Sequence, residues 1–284
     1  MTEVTAPSSF SELPQTHEST LSKRLLRLKR TANFVGLLGV RQALPLIAER
    51  VTQPNSNRLR RITIDELRKP FYLTSSHSDI AMTGEIIGAG TYDLPGLDYE
   101  INGNLILDLG ANIGVATALF ASRYTNSHIV AVEPHPRNLS ILRQNAWEYD
   151  AQVDVLPNAV CLETGRVGLV NPNERSSGRH AVYEFSGADD SGIVADAITP
   201  EELREIVEFY GNNVGLLKMN IEGLEKPLLA SQRFDSILRS TRVAIIEAHD
   251  RKQTGTSEVV MAAAGRTGLE LFDKRGSFYF FQHA

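Results

Sequence analysis

The chain has 284 residues, a formal net charge of −5 at pH 7 and a sequence pI of about 5.8. This length suits one large α/β domain with an extension, and the acidic balance argues against a nucleic-acid binder, which normally presents a basic face. The single cysteine, Cys161, excludes an intramolecular disulfide and a cysteine-based metal site. Neither an apolar run of membrane-spanning length nor a signal sequence is expected, so the sequence predicts a soluble, cytoplasmic protein.

The N-terminal part divides into two segments. Residues 1–19 are rich in Ser, Thr, Pro and Glu, which predicts a disordered tail. Residues 20–72 are predicted to form a helical extension, in which Pro45 kinks or ends the second of two helical stretches. The first stretch carries basic residues mostly on one face and an apolar face formed by Leu21, Leu25, Leu28 and Ala32.

Such a basic amphipathic helix has two kinds of partner. It docks on an anionic membrane surface or on another protein, or it packs its leucines on its own domain or on a second subunit. Packing is the favoured interpretation, and a homo-oligomer formed through the N-terminal helices is one form of it.

Residues 104–134 have the order of elements of a nucleotide-cofactor half-site. The elements are a buried strand at 105–108, a glycine turn at 110–114, a helix at 114–124, a strand at 128–132, and then Glu133. Glycines allow the sharp turn after the first strand. Glu133 comes at the carboxyl end of the second strand, where βαβ units place the acid that binds ribose hydroxyls.

The spacing of the glycines indicates which cofactor is bound. A dinucleotide-binding turn has the pattern G-x-G-x-x-G, but here Asn112 stands where the second close-approach glycine would be. The pattern Asp108-x-Gly110-x-x-x-Gly114, followed by Glu133, resembles motif I of class I methyltransferases. Those enzymes bind S-adenosylmethionine, which has no phosphate to cradle. A dinucleotide-binding oxidoreductase is therefore the weaker alternative.

Several spaced motifs carry a narrower resemblance. In chain order they are SSHSDIAMTGEIIGAGTYD, LILDLGANIGVATALFA, VAVEPHPRNLSILRQNA, LLKMNIEGLEKPLL and VAIIEAH. Together they resemble the FkbM family of methyltransferases over residues 73–281. The resemblance implies that residues 73–284 form a doubly wound, Rossmann-like class I methyltransferase sheet, mostly parallel with an antiparallel C-terminal strand.

The same resemblance implies a cofactor and an activity. The cofactor is S-adenosylmethionine, and the reaction is methylation of a hydroxyl oxygen on a sugar or natural product. The positions that match the cofactor-binding residues of the family are Asp108, Gly110, Asn112, Gly114 and Glu133.

Two further segments are expected near the ligands. Asn158 follows the third strand, at 153–156, and either hydrogen-bonds the adenine or satisfies the turn in which it stands. Residues 165–186 are typical of an inserted hairpin. Within it, His180 and Tyr183 either contact the substrate or belong to a solvated excursion.

The fourth and fifth strands, at 214–219 and 243–247, are predicted to deliver the catalytic residues to one sheet edge. His249 is the leading candidate for a general base, because imidazole titrates near neutrality and an aliphatic hydroxyl needs help to lose its proton. Glu222 is the second candidate, with Glu225 beside it. The alternative for His249 is that it orders the loop or binds substrate without transferring a proton.

Asn220 departs from the family motif, which usually reads Lys-Ile-Asp-x-Glu-Gly and so has an aspartate at this position. A neutral amide is a poorer ligand for hard cations than a carboxylate, so no metal is expected and catalysis is predicted to be metal-independent. The departure also leaves open a different substrate, or a non-catalytic module that recruits a partner through the N-terminal helix. N-methylation is a further alternative.

Overall fold

Strands and helices alternate along the residues that the computed structural model describes, 20–53, 56–170, 182–184 and 194–283. The strands are β1 (Arg60–Ile62), β2 (Phe71–Leu73), β3 (Leu105–Leu109), β4 (Ile129–Val132), β5 (Val153–Leu156), β6 (Asn158–Val160), β7 (Arg166–Val170), β8 (Val182–Glu184), β9 (Val194–Ile198), β10 (Val214–Met219), β11 (Thr241–Glu247), β12 (Leu269–Arg275) and β13 (Phe278–His283). The helices are α1 (Thr20–Thr52), α2 (His77–Ile86), α3 (Asp98–Ile101), α4 (Val115–Arg123), α5 (Pro136–Trp147), α6 (Pro200–Phe209), α7 (Glu225–Ala230), α8 (Asp235–Arg239) and α9 (Thr256–Thr267).

The main sheet has seven strands in the order β12-β13-β11-β10-β3-β4-β5. Its neighbours pair in parallel, except that β13 lies antiparallel between β11 and β12. This is the class I methyltransferase arrangement that the sequence predicted. The carboxyl ends of β3, β4, β10 and β11 therefore meet at one edge, where doubly wound sheets bind their ligands.

Both faces of this sheet are covered. Along β3, Ile106 packs into a cluster with α1, α2, α4 and α5, while Leu105 and Leu107 pack into a second cluster with α6 to α9. Successive side chains of a strand point to opposite faces, so a strand buried on both faces needs a continuous apolar run. The sheet therefore holds the loops at its edge on a rigid base.

Helix α1 bends at a glycine and not at the proline. Gly39 has φ 68° and ψ 160°, a conformation that is essentially restricted to glycine, and two helical segments meet there. Pro45 lies inside the second segment without ending it. The prediction that Pro45 kinks or ends the helix is therefore wrong, because the helical dihedral angles of α1 are interrupted at Gly39 instead.

The described residues on the apolar face of the first segment of α1 do not pack on the chain's own domain. Leu25 and Leu28 are more than half exposed, and Ala32 is exposed as well. Leu25 and Leu28 thus do not pack on the parent domain, and packing against a second subunit, the other form of the favoured interpretation, stays a prediction. In addition, Leu28–Thr52 is long and apolar enough, by length and composition only, to cross a membrane, contrary to the sequence-based expectation that no such run exists.

The opposite face of α1 joins the extension to the rest of the fold. An added Cβ on Gly84 of α2 would lie 2.5 Å from the carbonyl oxygen of Arg30, and one on Gly88 would lie 2.8 Å from that of Asn33. The two backbones therefore approach closely. The extension also contains β1, which pairs antiparallel with β2, and the tail at 1–19 lies outside the described residues.

A second sheet follows β5, with the order β6-β9-β7-β8. β7 and β8 pair antiparallel, which confirms the predicted hairpin. The parallel pairing of β6 with β9 was not predicted. His180 and the side chain of Tyr183 lie outside the described part of the chain, so their proximity to substrate stays a prediction.

Candidate active site

The turn that joins β3 to α4, residues 110–114, is called the cofactor turn below. Three of its residues have positive φ: Gly110 at 79°, Asn112 at 54° and Gly114 at 86°. Gly110 also lacks room for a side chain, because an added Cβ would lie 1.8 Å from the carbonyl oxygen of Asn220. Only glycine satisfies both conditions, so its place in the pattern has a steric cause.

The N–H groups of the cofactor turn are all used within the chain. Those of Gly110 and Ala111 donate to the carbonyl of Val132, each at 2.9 Å. The remaining three, from Asn112, Ile113 and Gly114, donate to Glu133 Oε2, Asn112 Oδ1 and the carbonyl of Ala111. A pyrophosphate needs such N–H groups as donors. The turn therefore has no N–H group left to donate to a phosphate, which agrees with the glycine spacing.

A buried ion pair lies beneath the cofactor turn. Lys218 of β10 has its Nζ 3.0 Å from Asp108 Oδ1, and both side chains are almost completely buried. Thr117 donates its hydroxyl to Asp108 Oδ2 at 2.6 Å, and Lys218 donates to the carbonyl of Gly110, also at 2.6 Å. Asp108 thus supports the turn from below. Sequence reasoning missed Lys218, although a lysine inside an apolar strand was a visible signal.

Glu133 stands at the end of β4, as predicted, and is buried. Its carboxylate accepts hydrogen bonds from the backbone N–H groups of Asn112 and His135, both at 2.9 Å. Burial raises its pKa to about 7, although these hydrogen bonds and the charge of Lys218 act to lower it. Further hydrogen-bond donors, such as the two hydroxyls of a ribose, would favour the ionised carboxylate of Glu133 and would complete its hydrogen bonds.

His249 lies among three carboxylates at the same sheet edge. Its Nδ1 is 3.0 Å from Glu225 Oε1, and its Nε2 is 3.6 Å from Glu222 Oε2 and 3.9 Å from Glu247 Oε1. Burial acts to lower the pKa of His249, but the hydrogen bond with Glu225 and the three negative charges outweigh it and raise the pKa to about 9. The imidazole is therefore mainly protonated at neutral pH before ligands bind.

Glu225 is the residue that holds this loop together. It is fully buried and accepts hydrogen bonds from the N–H groups of Ile221 and Gly223, each at 2.8 Å, as well as contacting His249. The sequence suggested Glu225 only as a neighbour of Glu222. Its fixed contacts make it a positioning group for His249.

Glu222 has a strained backbone and a charged partner. Its φ is 60°, which is uncommon for a residue with a side chain. Lys252 donates to both its carboxylate and its carbonyl oxygen. Lys252 therefore holds the carboxylate of Glu222 in an ion pair. Glu247, which the sequence analysis did not single out, lies beside it, and burial raises the pKa of its carboxyl.

One cavity of about 820 Å³ connects these groups. It is lined by the cofactor turn, Glu133, Asn220, Glu222 and His249, together with residues of α1, α2 and β12. Asn158 does not line it in the described structure, since its side chain donates to the carbonyl of Ala197 at 3.4 Å. The structure therefore favours the structural role considered for Asn158, because the unpredicted pairing of β6 with β9 turns it towards that sheet.

Two residues of the cavity wall have polar atoms without a protein partner. His135 and Asn220 line the cavity, and their atoms Nδ1 and Oδ1 are buried and have no hydrogen bond within the described structure. Such atoms are rare unless a ligand or water completes them. Together with Glu133 for a ribose and the carboxylates around His249 for a cation, they fit a nucleoside that carries a positive sulfonium.

The described residues contain no group of three or more His, Cys, Asp or Glu side chains that could hold a metal ion. Glu222 and Glu247 are instead held by Lys252 and by the hydroxyl of Ser277. Metal-independent catalysis remains a prediction.

Comparison with known proteins gave one family. A family model described as "Methyltransferase FkbM domain" matches residues 108–273, which is more than half of the chain and includes Asp108, Glu133, Lys218 and His249. No curated protein matches the chain.

Several solved structures are similar to the chain at low identity. Fibrillarin from Aeropyrum pernix, in complex with natively bound S-adenosyl-L-methionine, has 14% identity and a TM-score of 0.38, with 66% of this chain and 69% of that chain covered. Precorrin-6y C5,15-methyltransferase from Geobacter metallireducens GS-15 has 12% identity and a TM-score of 0.37, with 66% of this chain and 86% of that chain covered. TYW2 from M. jannaschii, in complex with AdoMet, has 13% identity and a TM-score of 0.37, with 81% of this chain and 89% of that chain covered.

Proposed function

Because the chain belongs to the FkbM methyltransferase family, and so is an S-adenosylmethionine-dependent methyltransferase, we propose that its acceptor is a hydroxyl oxygen of a sugar or natural product. One observation carries this proposal: His249, oriented by Glu225, faces the same cavity as the cofactor turn. An imidazole with one nitrogen held by a carboxylate is the arrangement that removes a proton from a hydroxyl.

The two nitrogens of His249 have different roles in this proposal. S-adenosylmethionine supplies the activated methyl group, so the chain has to align the acceptor and accept its proton. Nδ1 keeps its proton because it donates a hydrogen bond to Glu225 Oε1, which lies 3.0 Å away. Nε2 is then the atom that receives the proton of the acceptor hydroxyl.

This role requires His249 to be neutral when the acceptor is bound. His249 shares its three carboxylates with any positive charge that enters the cavity, and that charge lowers its pKa from the value of about 9 in the free protein. In the ligand-free structure Glu222 is paired with Lys252. His249 thus becomes a base only when the cofactor side of the cavity is filled.

The first experiment is calorimetric titration with S-adenosylmethionine, with Glu133→Ala as the control. We expect binding by the wild type and at least tenfold weaker binding by the variant, because the ribose loses its carboxylate partner. If neither protein bound the cofactor, the non-catalytic alternative would replace this proposal.

The second experiment tests the acceptor atom. Pairs of sugars that differ only by a hydroxyl or an amine at one position are incubated with S-adenosylmethionine, and products are identified by mass spectrometry. We expect methylation of the hydroxyl compound and its loss in His249→Gln, while cofactor affinity is retained. Methylation of the amine alone would refute the O-methylation proposal. Full activity of His249→Gln would refute the assignment of His249 as the base.

A further inference from the structure

Both helical segments of α1 present apolar residues to the outside of the protein, and these residues form the outward stripe. The large residues of this outward stripe are between 57% and 74% exposed, and the smaller ones are exposed as well. Its members are Leu25, Leu28, Ala32, Gly36, Val40, Leu44, Ala48 and Val51. They recur every three or four positions, so the stripe follows one side of each of the two helical segments that meet at Gly39. A monomer rarely exposes so long an apolar surface without a partner.

The other side of α1 is firmly attached to the domain. Phe34, Leu38, Ala43 and Leu46 are buried in the core cluster that the main sheet shares with α2 and α4. Arg30 forms an ion pair with Glu85 of α2 at 2.8 Å. A helix held in this way cannot cross a bilayer without unpacking the core, so its partner must contact it from one side only.

The charges of α1 indicate the nature of that partner. Residues 20–48 contain six Lys or Arg residues and no Asp or Glu, in a chain whose net charge is −5. Lys29 and Arg41 are exposed beside the outward stripe. The partner is therefore expected to be anionic as well as apolar. A second copy of α1 fits poorly, because two helices with this excess of positive charge would repel each other.

We propose that α1 docks this methyltransferase on the surface of an anionic phospholipid bilayer. The helix lies in the plane of the interface with its outward stripe against the acyl boundary, and its basic residues contact lipid phosphates. Arg30 also lines the catalytic cavity, so docking brings the cavity wall to the membrane surface.

The test uses the full chain and co-sedimentation with two kinds of vesicle, phosphatidylcholine alone and phosphatidylcholine mixed with phosphatidylglycerol. We expect the wild type to bind the mixed vesicles at least tenfold more strongly, and added salt to weaken that binding. The triple variant Leu28→Ser, Val40→Ser, Leu44→Ser should lose at least tenfold in affinity. Lys29→Glu with Arg41→Glu should remove the preference for the anionic vesicles.

Control variants separate docking from unfolding and from other occupants of the stripe. Phe209→Ser removes a side chain on α6 that is 81% exposed, and it should leave vesicle binding unchanged. All variants should keep the wild-type melting temperature, because every replaced side chain is exposed. Equal vesicle binding by the wild type and the triple variant would overturn the proposal. A wild-type dimer that the triple variant converts to monomers would also overturn it, because a second copy would then cover the stripe. Vesicle binding by the wild type only after residues 1–19 are removed would overturn it too, because those residues would then cover the stripe in the full chain.

Discussion

Replacing Lys218 by methionine removes one partner of the buried ion pair beneath the cofactor turn. Asp108 then keeps a buried charge with only the hydroxyl of Thr117 as a side-chain donor. Loss of one partner from a buried pair costs about 3–5 kcal/mol of unfolding free energy. For a chain of this size each kcal/mol lowers the melting temperature by about 2–4 °C, so we expect a decrease of about 6–20 °C.

The assay is urea unfolding of the ligand-free protein, followed by circular dichroism. Lys218→Met is compared with Asp108→Asn and with the double variant, which together form a double-mutant cycle. The double variant leaves no charged side chain at positions 108 and 218, so it should regain at least about half of the loss. If it were as unstable as Lys218→Met alone, the lost contact with the Gly110 carbonyl would be the main cause, and the argument from an uncompensated charge would be refuted.

Three other predictions concern the cofactor turn and His249. Gly110→Ala should lower the unfolding free energy by clearly more than Gly211→Ala, because both positions have positive φ but only Gly110 would place its Cβ 1.8 Å from a carbonyl oxygen. For Gly211→Ala, with nothing within 4 Å, we expect about 1–2 kcal/mol from backbone strain alone, and equal losses in urea unfolding would contradict the steric argument. In an NMR titration of the free protein, His249 should keep its proton until about pH 9, and Glu225→Gln should lower that pKa. Since the folded pKa of His249 is raised, its contribution of about 3 kcal/mol is present below about pH 6.5 and is lost as the pH rises through about 9. The difference in unfolding free energy between the wild type and His249→Gln should decrease between about pH 6.5 and about pH 9. A difference that stays constant over this pH range would contradict the raised pKa of His249.

The parts of the fold that depend on local sequence were predictable. The hydrophobic pattern, the glycine turn and the acidic residue around β3, α4 and β4 each depend on only a few neighbouring residues. The structure confirms the predicted order of strand, turn, helix and strand. The hairpin of β7 and β8 is local in the same sense. The pairing of β6 with β9 joins segments nearly forty residues apart, so neither its existence nor its effect on Asn158 was visible.

The electrostatics of the site could not be predicted, because they depend on distant residues. His249 was expected to titrate near neutrality, but Glu222, Glu225 and Glu247 approach it from three positions in the chain and raise its pKa to about 9. Lys218 and Asp108 are 110 positions apart and meet only because β10 pairs with β3. Similarly, the bend of α1 at Gly39 was not read from its sequence, in which Pro45 is the more obvious helix breaker.

The contact between Gly110 and Asn220 bears on how such an enzyme changes its acceptor during evolution. The carbonyl oxygen of residue 220 lies against Gly110, and its N–H donates to the carbonyl of Leu109 at 3.0 Å, so the backbone alone joins the two loops. The side chain of Asn220 takes no part in this contact; Asn220 lines the cavity, and its Oδ1 is buried without a hydrogen bond within the described structure. A family member can therefore exchange aspartate for asparagine at this position, and so change what its cavity recognises, without disturbing the backbone contacts that hold the cofactor turn.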